Sequence, residues 1–166
     1  MYLTETKYGT LVHNDDALLD QHHRQEELFI DTFISIILNK CKTVLFKGTI
    51  FQGLAFAKLN PKCSIYTDCA ATDLLDTIKI NLIENIHVCD DAMGMENIEP
   101  DFIFVDSDGE EVQILRKVNG IIQQQRPMIM FRTTDPGARA FQLIANQGYM
   151  IKRLPCNMYI CSNIQL

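Results

Sequence analysis

The sequence predicts an α/β fold on a mostly parallel sheet, and three observations carry that prediction. Runs such as Val44-Leu45-Phe46 and Phe102-Ile103-Phe104-Val105 are uninterrupted and too short for helices, the pattern of strands buried on both faces. They alternate with stretches of helical periodicity, as βαβ units do. Near the end, Tyr149 to Leu154 and Met158 to Cys161 flank only Pro155-Cys156-Asn157, so these two strands must pair antiparallel as a hairpin.

At 166 residues, 47% of them hydrophobic, the chain supports one structural domain, 1-166, with a sizeable core. Within it, 1-40 reads as an N-terminal strand and helix packed on the core, and 41-166 as the α/β unit. The net charge of −6 speaks against a nucleic-acid partner, because no basic stripe is present to neutralise a phosphate backbone. The longest apolar tract, Leu28 to Leu38, is interrupted by Asp31 and falls short of the ~20 residues a membrane span needs. Met1-Tyr2-Leu3-Thr4-Glu5 lacks the basic and apolar regions of a signal peptide, so the expectation is a cytoplasmic protein. Its cysteines, Cys41, Cys63, Cys69, Cys89, Cys156 and Cys161, are then expected to be free thiols.

Taken in order, Tyr8 to His13 suggests a strand, and Gln25 to Asn39, with Leu28, Phe29, Phe33, Ile36 and Ile37, an amphipathic helix. His22, His23, Glu26 and Glu27 crowd like metal ligands but lack a further ligand at a recognisable spacing. They read as a solvated helix start, with no metal. The strand Thr43 to Phe46 leads through Lys47 and Gly48 into a helix ending near Leu59, the opening of a mononucleotide-binding unit. Gly48 and Gly53 have P-loop spacing, but Leu54 and Ala55 stand where Lys and Ser or Thr would hold phosphate and magnesium. That excludes a nucleoside triphosphatase.

The strand Ser64 to Thr67 runs into Asp68, about 20 residues after the glycine turn, where an acid accepts hydrogen bonds from ribose hydroxyls. Capping of a helix from Ala70 to Asn81 would explain Asp68 equally. Ile86 to Cys89 ends in Asp90 and Asp91, and His87 within it reads as a packed histidine. Asp101 to Glu111 is the most informative stretch: a fully apolar strand that stops at Asp106, then Ser107-Asp108-Gly109-Glu110 with capping-box spacing, then a helix over 109–124. Capping accounts for Ser107, Asp108 and Glu110. For Asp106, at the carboxyl end of a central strand, a functional and a structural role weigh equally. Pro127 to Phe131 is a further core strand, and a helix from Ala138 to Gln147 stops at Gly148, a C-cap residue.

Five βα units closed by a hairpin resemble the class I S-adenosylmethionine-dependent methyltransferases. More narrowly, Asp101 to Glu111 is similar to the D-F-I-K-I-D-V-E-G-x-E segment of FkbM-type enzymes, with Asp106, Asp108, Gly109 and Glu111 at its D, E, G and E. Arg126-Pro127, Gly148-Tyr149, Asn60-Pro61 and Tyr8-Gly9-Thr10 match as well, so the resemblance spans nearly the whole chain. It implies a Rossmann-like sandwich with a mostly parallel seven-stranded sheet in the order 3-2-1-4-5-7-6. It also implies S-adenosylmethionine as cofactor, held by Gly48, Asp68, Asp90 and Asp91. Asp106 would be the catalytic residue, orienting or deprotonating a small hydroxyl or sugar acceptor, with Asp108 and Glu111 in support.

The chain departs from the family where D-V-G-A-N-I-G holds the cofactor's amino acid end. Phe46 takes the acid's place, Gly48 keeps one glycine, Gln52 falls at the second, and Arg132 follows the fifth strand where an acid is common. Two readings follow. The first is a methyltransferase whose cofactor binding is weak; the second is a non-catalytic domain for binding or assembly that has lost the cofactor. Retention of Asp68 and Asp106 tips the sequence narrowly to the first. Homo-oligomerisation is left open.

Overall fold

The computed structural model describes residues 2–6, 9–13, 40–48, 50–67, 72–89, 97–107, 109–135, 137, 139–155 and 157–163. The helix expected over Gln25 to Asn39 and the His22, His23, Glu26 and Glu27 group lie outside these residues. At the N-terminus, β1 (Tyr2–Thr6) and β2 (Gly9–His13) form an antiparallel pair of their own, with Thr6 opposite Gly9. Only the second of these strands was legible in the sequence.

The main sheet has seven strands: β3 (Thr43–Lys47), β4 (Ser64–Thr67), β5 (Ile86–Val88), β6 (Phe102–Val105), β7 (Met128–Arg132), β8 (Met150–Arg153) and β9 (Met158–Ser162). Their order is β5-β4-β3-β6-β7-β9-β8, which is 3-2-1-4-5-7-6 when they are counted along the chain, as expected. β3 to β7 are parallel, and β9 runs antiparallel to both β7 and β8. β3 and β6 lie side by side at the centre, and the chain leaves them towards opposite edges of the sheet. That makes their carboxyl ends the switch point at which open α/β sheets bind ligands.

Alternation along the central strands builds two cores, one on each face. Val44, Phe46, Phe102, Phe104 and Met130 meet Leu54, Phe56 and Ala57 of α1 (Ile50–Leu59) and Ile78 of α2 (Thr72–Ile80). Leu45, Ile103, Val105, Ile129 and Phe131 meet Leu115 of α3 (Glu111–Lys117), Ile122 of α4 (Asn119–Gln125), and Ala140 and Ile144 of α5 (Arg139–Asn146). β6 is buried at all four positions, as its unbroken apolar run requires.

Two local expectations fail, both after β6. The capping box does not form: α3 starts at Glu111, Glu110 makes no side-chain cap bond, and the buried Ser107 Oγ has no hydrogen-bond partner. Instead the Glu110 N–H donates to the Ser107 carbonyl at 3.3 Å, with Gly109 at φ +80° in the turn position that requires a positive φ. The turn consumes the residues that would have been the first helical turn. The single helix over 109–124 is two short ones broken at Val118, where the low helix propensity of Asn119 and Gly120 follows.

Three polar anchors fix the frame around the site. Asp101 accepts hydrogen bonds from the backbone N–H groups of Lys42 at 2.6 Å and Thr43 at 3.0 Å, locking the start of β3 to β6. Asn85 donates to the carbonyls of Asn60 and Cys63, joining the end of α1 to the entry of β5. Arg126 donates to the Gln147 carbonyl and lies over the Tyr149 ring, whose hydroxyl donates to Pro127. The Arg126-Pro127 and Gly148-Tyr149 matches are thus a structural clamp between β7 and α5.

Candidate functional site at the carboxyl edge of the sheet

Asp106 is the first residue beyond β6, and its backbone N–H donates to the Lys47 carbonyl of β3 at 2.6 Å. The register that sets Val105 against Phe131 places Arg132 at the same level on the neighbouring strand. Arg132 Nη2 lies 3.0 Å from Asp106 Oδ2, and Gln52 Nε2 of α1 donates to the same oxygen at 2.9 Å. The Asp106 side chain is 7% exposed and that of Arg132 26%. Its alternation with Val105 turns the carboxylate to the α1 face, where two donors enclose it. Both donors share Oδ2, and Oδ1 has no hydrogen-bond or ion-pair partner among the described residues.

The glycine turn is closed from beneath. A Cβ on Gly48 would meet Phe104 Cε1 at 2.9 Å, Gln52 Oε1 at 3.0 Å and Phe46 Cζ at 3.1 Å, so only glycine fits there. Phe46 is 4% exposed and stacks on Phe104 with ring centroids 5.2 Å apart. Gln52 is itself only 4% exposed. The residues that depart from the FkbM-type pattern, Phe46, Gln52 and Arg132, thus act together: one fills the floor, and the other two bind Asp106.

Glu111 opens α3 and is buried, where the helix dipole favours an acid. Gly48 and Asp106 are brought together across β3 and β6. Asp68, Asp90, Asp91 and Asp108 lie outside the described residues, although β4 and β5 end just before the first three. Among the described residues no group of His, Cys, Asp and Glu could hold a metal ion, and no helix is long and apolar enough to cross a membrane. His87 is exposed on β5 and packs against Tyr66, with ring centroids 4.8 Å apart.

Opposite charges at the ends of adjacent strands were the sequence signal for the Asp106–Arg132 pair, legible only once β6 and β7 are known to be neighbours. Gln52 carried no such signal, because it comes from a helix 54 residues away in the chain.

No family model matches the sequence, and no curated protein matches it either. Solved structures do match. A precorrin-6y C5,15-methyltransferase from Geobacter metallireducens aligns with a TM-score of 0.62 at 15% identity, over 90% of this chain and 95% of that one. A ribosomal protein L11 methylase from Lactobacillus delbrueckii subsp. bulgaricus aligns with a TM-score of 0.63 at 16% identity, over 85% of this chain and 78% of that one. The N-methyltransferase NodS from Bradyrhizobium japonicum aligns with a TM-score of 0.58 at 13% identity, over 84% of this chain and 97% of that one. Identities this low speak to architecture alone. The chain has the Rossmann-like fold of the class I S-adenosylmethionine-dependent methyltransferases.

Proposed function

We propose that this chain is an FkbM-type methyltransferase fold that has given up turnover and serves as a non-catalytic domain for binding or assembly. The observation that carries this reading is the closure of Asp106 by Gln52 and Arg132. A carboxylate that orients an acceptor hydroxyl must present its lone pairs to that acceptor; this one is 7% exposed and already bound by two donors.

The described residues do not fit S-adenosylmethionine. Its ammonium needs acceptors, and Arg132 sets a cation, and Phe46 an apolar ring, where the resemblance puts acids. Like charges placed together in a half-buried site repel, and a buried ammonium without partners costs several kcal/mol, on the order of its lost charge-assisted hydrogen bonds. Only the ribose end retains its acid in the sequence, at Asp68.

One observation favours a second reading, methyl transfer to a small hydroxyl or sugar acceptor: with Oδ2 pinned, Asp106 Oδ1 is the atom left to accept a proton or orient an acceptor. Isothermal titration with S-adenosylmethionine and S-adenosylhomocysteine separates the two. The proposal expects no binding at millimolar cofactor, with Asp68→Ala silent. Low-micromolar binding, with methyl label passing to a sugar, would establish the second reading instead.

A further inference from the structure

A polar side chain buried against a carboxylate at the switch point of the sheet invites a comparison with what a bound small molecule would do there. Gln52 projects from α1 between buried Leu54 and the glycine turn. Its Oε1 lies 3.0 Å from the point where a Gly48 Cβ would be, and its Nε2 donates to Asp106 Oδ2 at 2.9 Å. The carboxamide therefore lies between the turn and the carboxylate, and Phe46 and Phe104 close the turn beside it. Leu54, Phe56 and Ala57 bury apolar surface on the same helix. Gln52 meets the hydrogen-bonding demand of Asp106, a demand that any N–H donor of the same reach would meet.

We propose that Gln52 is a built-in ligand of Asp106: its carboxamide occupies the donor position that the nitrogen of a small primary amide would otherwise take, so the chain closes this site on itself. The inference rests on the reading that the carboxyl edge is closed. It adds what closes it and which chemistry the closed site recognises. The occupant's size follows from the side chain it replaces, an amide on a short alkyl stem. Its charge follows from Asp106, which excludes anions. Arg132 already neutralises much of that carboxylate, so a neutral amide suffices.

Removing the plug tests this. Gln52→Ala deletes the carboxamide and opens a polar cavity beside Asp106, and acetamide is the fragment deleted. In the variant, acetamide at about 50–100 mM should raise the Tm by about 1–2 °C through binding to the folded state alone. Under the same conditions the backbone amide resonances of Gly48 and Asp106 should shift. The wild type should show neither effect, because its site is filled, and butyrate should be inert in both. Should the alanine variant not fold, Gln52→Ser, which deletes the same carboxamide but keeps a hydroxyl in the pocket, should be rescued in the same way. A folded variant whose Tm and Gly48 and Asp106 resonances ignore acetamide would make Gln52 a packing residue and overturn the proposal. Failure of the non-catalytic reading would show separately, as tight cofactor binding by the wild type.

Discussion

The Asp106–Arg132 pair can be weighed by removing each charge in turn. Arg132→Met leaves a carboxylate that is 7% exposed with a single neutral donor, Gln52. Breaking a fully buried pair in this way costs about 3–5 kcal/mol. Because the Arg132 side chain is 26% exposed, part of its pairing energy is already screened by water, and about 2–4 kcal/mol is the scaled expectation. Asp106→Asn is gentler. It keeps an acceptor for Gln52 and strands a cation that reaches solvent, a loss of about 1 kcal/mol. Removing both charges leaves neither group uncompensated, so the double variant should be less destabilised than the sum of the singles, by about 1–2 kcal/mol. In a domain of this size about 1 kcal/mol moves the Tm by roughly 2–4 °C, so thermal melts followed by circular dichroism resolve every corner of the cycle. Residues kept for catalysis at the expense of stability behave oppositely: replacing them is neutral or stabilising. A rise in Tm for either single variant, or additivity within about 0.5 kcal/mol, would refute the assignment of this pair to structure.

Leu82 is 87% exposed and holds φ +52° just after α2, where the Ile83 N–H donates back to Ile78. Leu82→Gly should therefore stabilise the chain by about 0.5–1 kcal/mol in urea titrations, and a loss would show that this side chain has a partner. Asp101→Ala removes the acceptor of two backbone N–H groups at the head of β3 and should cost about 1–2 kcal/mol, with faster hydrogen exchange at Lys42 and Thr43. Burial pushes Cys41 up to about 12, Cys63 to about 11 and Cys161 to about 12, with the Asp101 carboxylate adding to the first two. All three stay protonated in the folded state while unfolded thiols ionise near 9, so their stabilisation is complete below pH 9 and is lost as pH rises towards 11–12. Denaturant midpoints should fall over that window, and replacing Cys161 with Ala should flatten the fall. Cys41, Cys63, Cys89 and Cys161 form no disulfide, so alkylation after unfolding without reductant should label them, and Cys69 and Cys156 are expected to label too.

The sheet was legible because its strands are encoded locally. Each central run is apolar at successive positions, and the short Pro155-Cys156-Asn157 link leaves the last two strands no arrangement but a hairpin. The β1 strand was missed because Tyr2 to Thr6 is short and polar, without the apolar run that marked the others. The capping box failed for a conformational reason: Gly109, where the helix was expected to start, adopts φ +80° and belongs to a turn before the helix begins. Asp106 was singled out correctly as a feature of the carboxyl edge, but its surroundings could not be read. Gln52 and Arg132 reach it from a helix and from a neighbouring strand, and the orientation of a side chain relative to such distant partners is set by register and packing that no local pattern records.

The most direct test of the closed edge is a crystal structure of the protein grown with millimolar S-adenosylhomocysteine. The account predicts that Gln52 Nε2 stays on Asp106 Oδ2, that Arg132 stays paired with the same oxygen, and that no ligand enters between Gly48 and Asp106. Ligand density over Gly48, with Gln52 swung away and Arg132 released from Asp106, would contradict it.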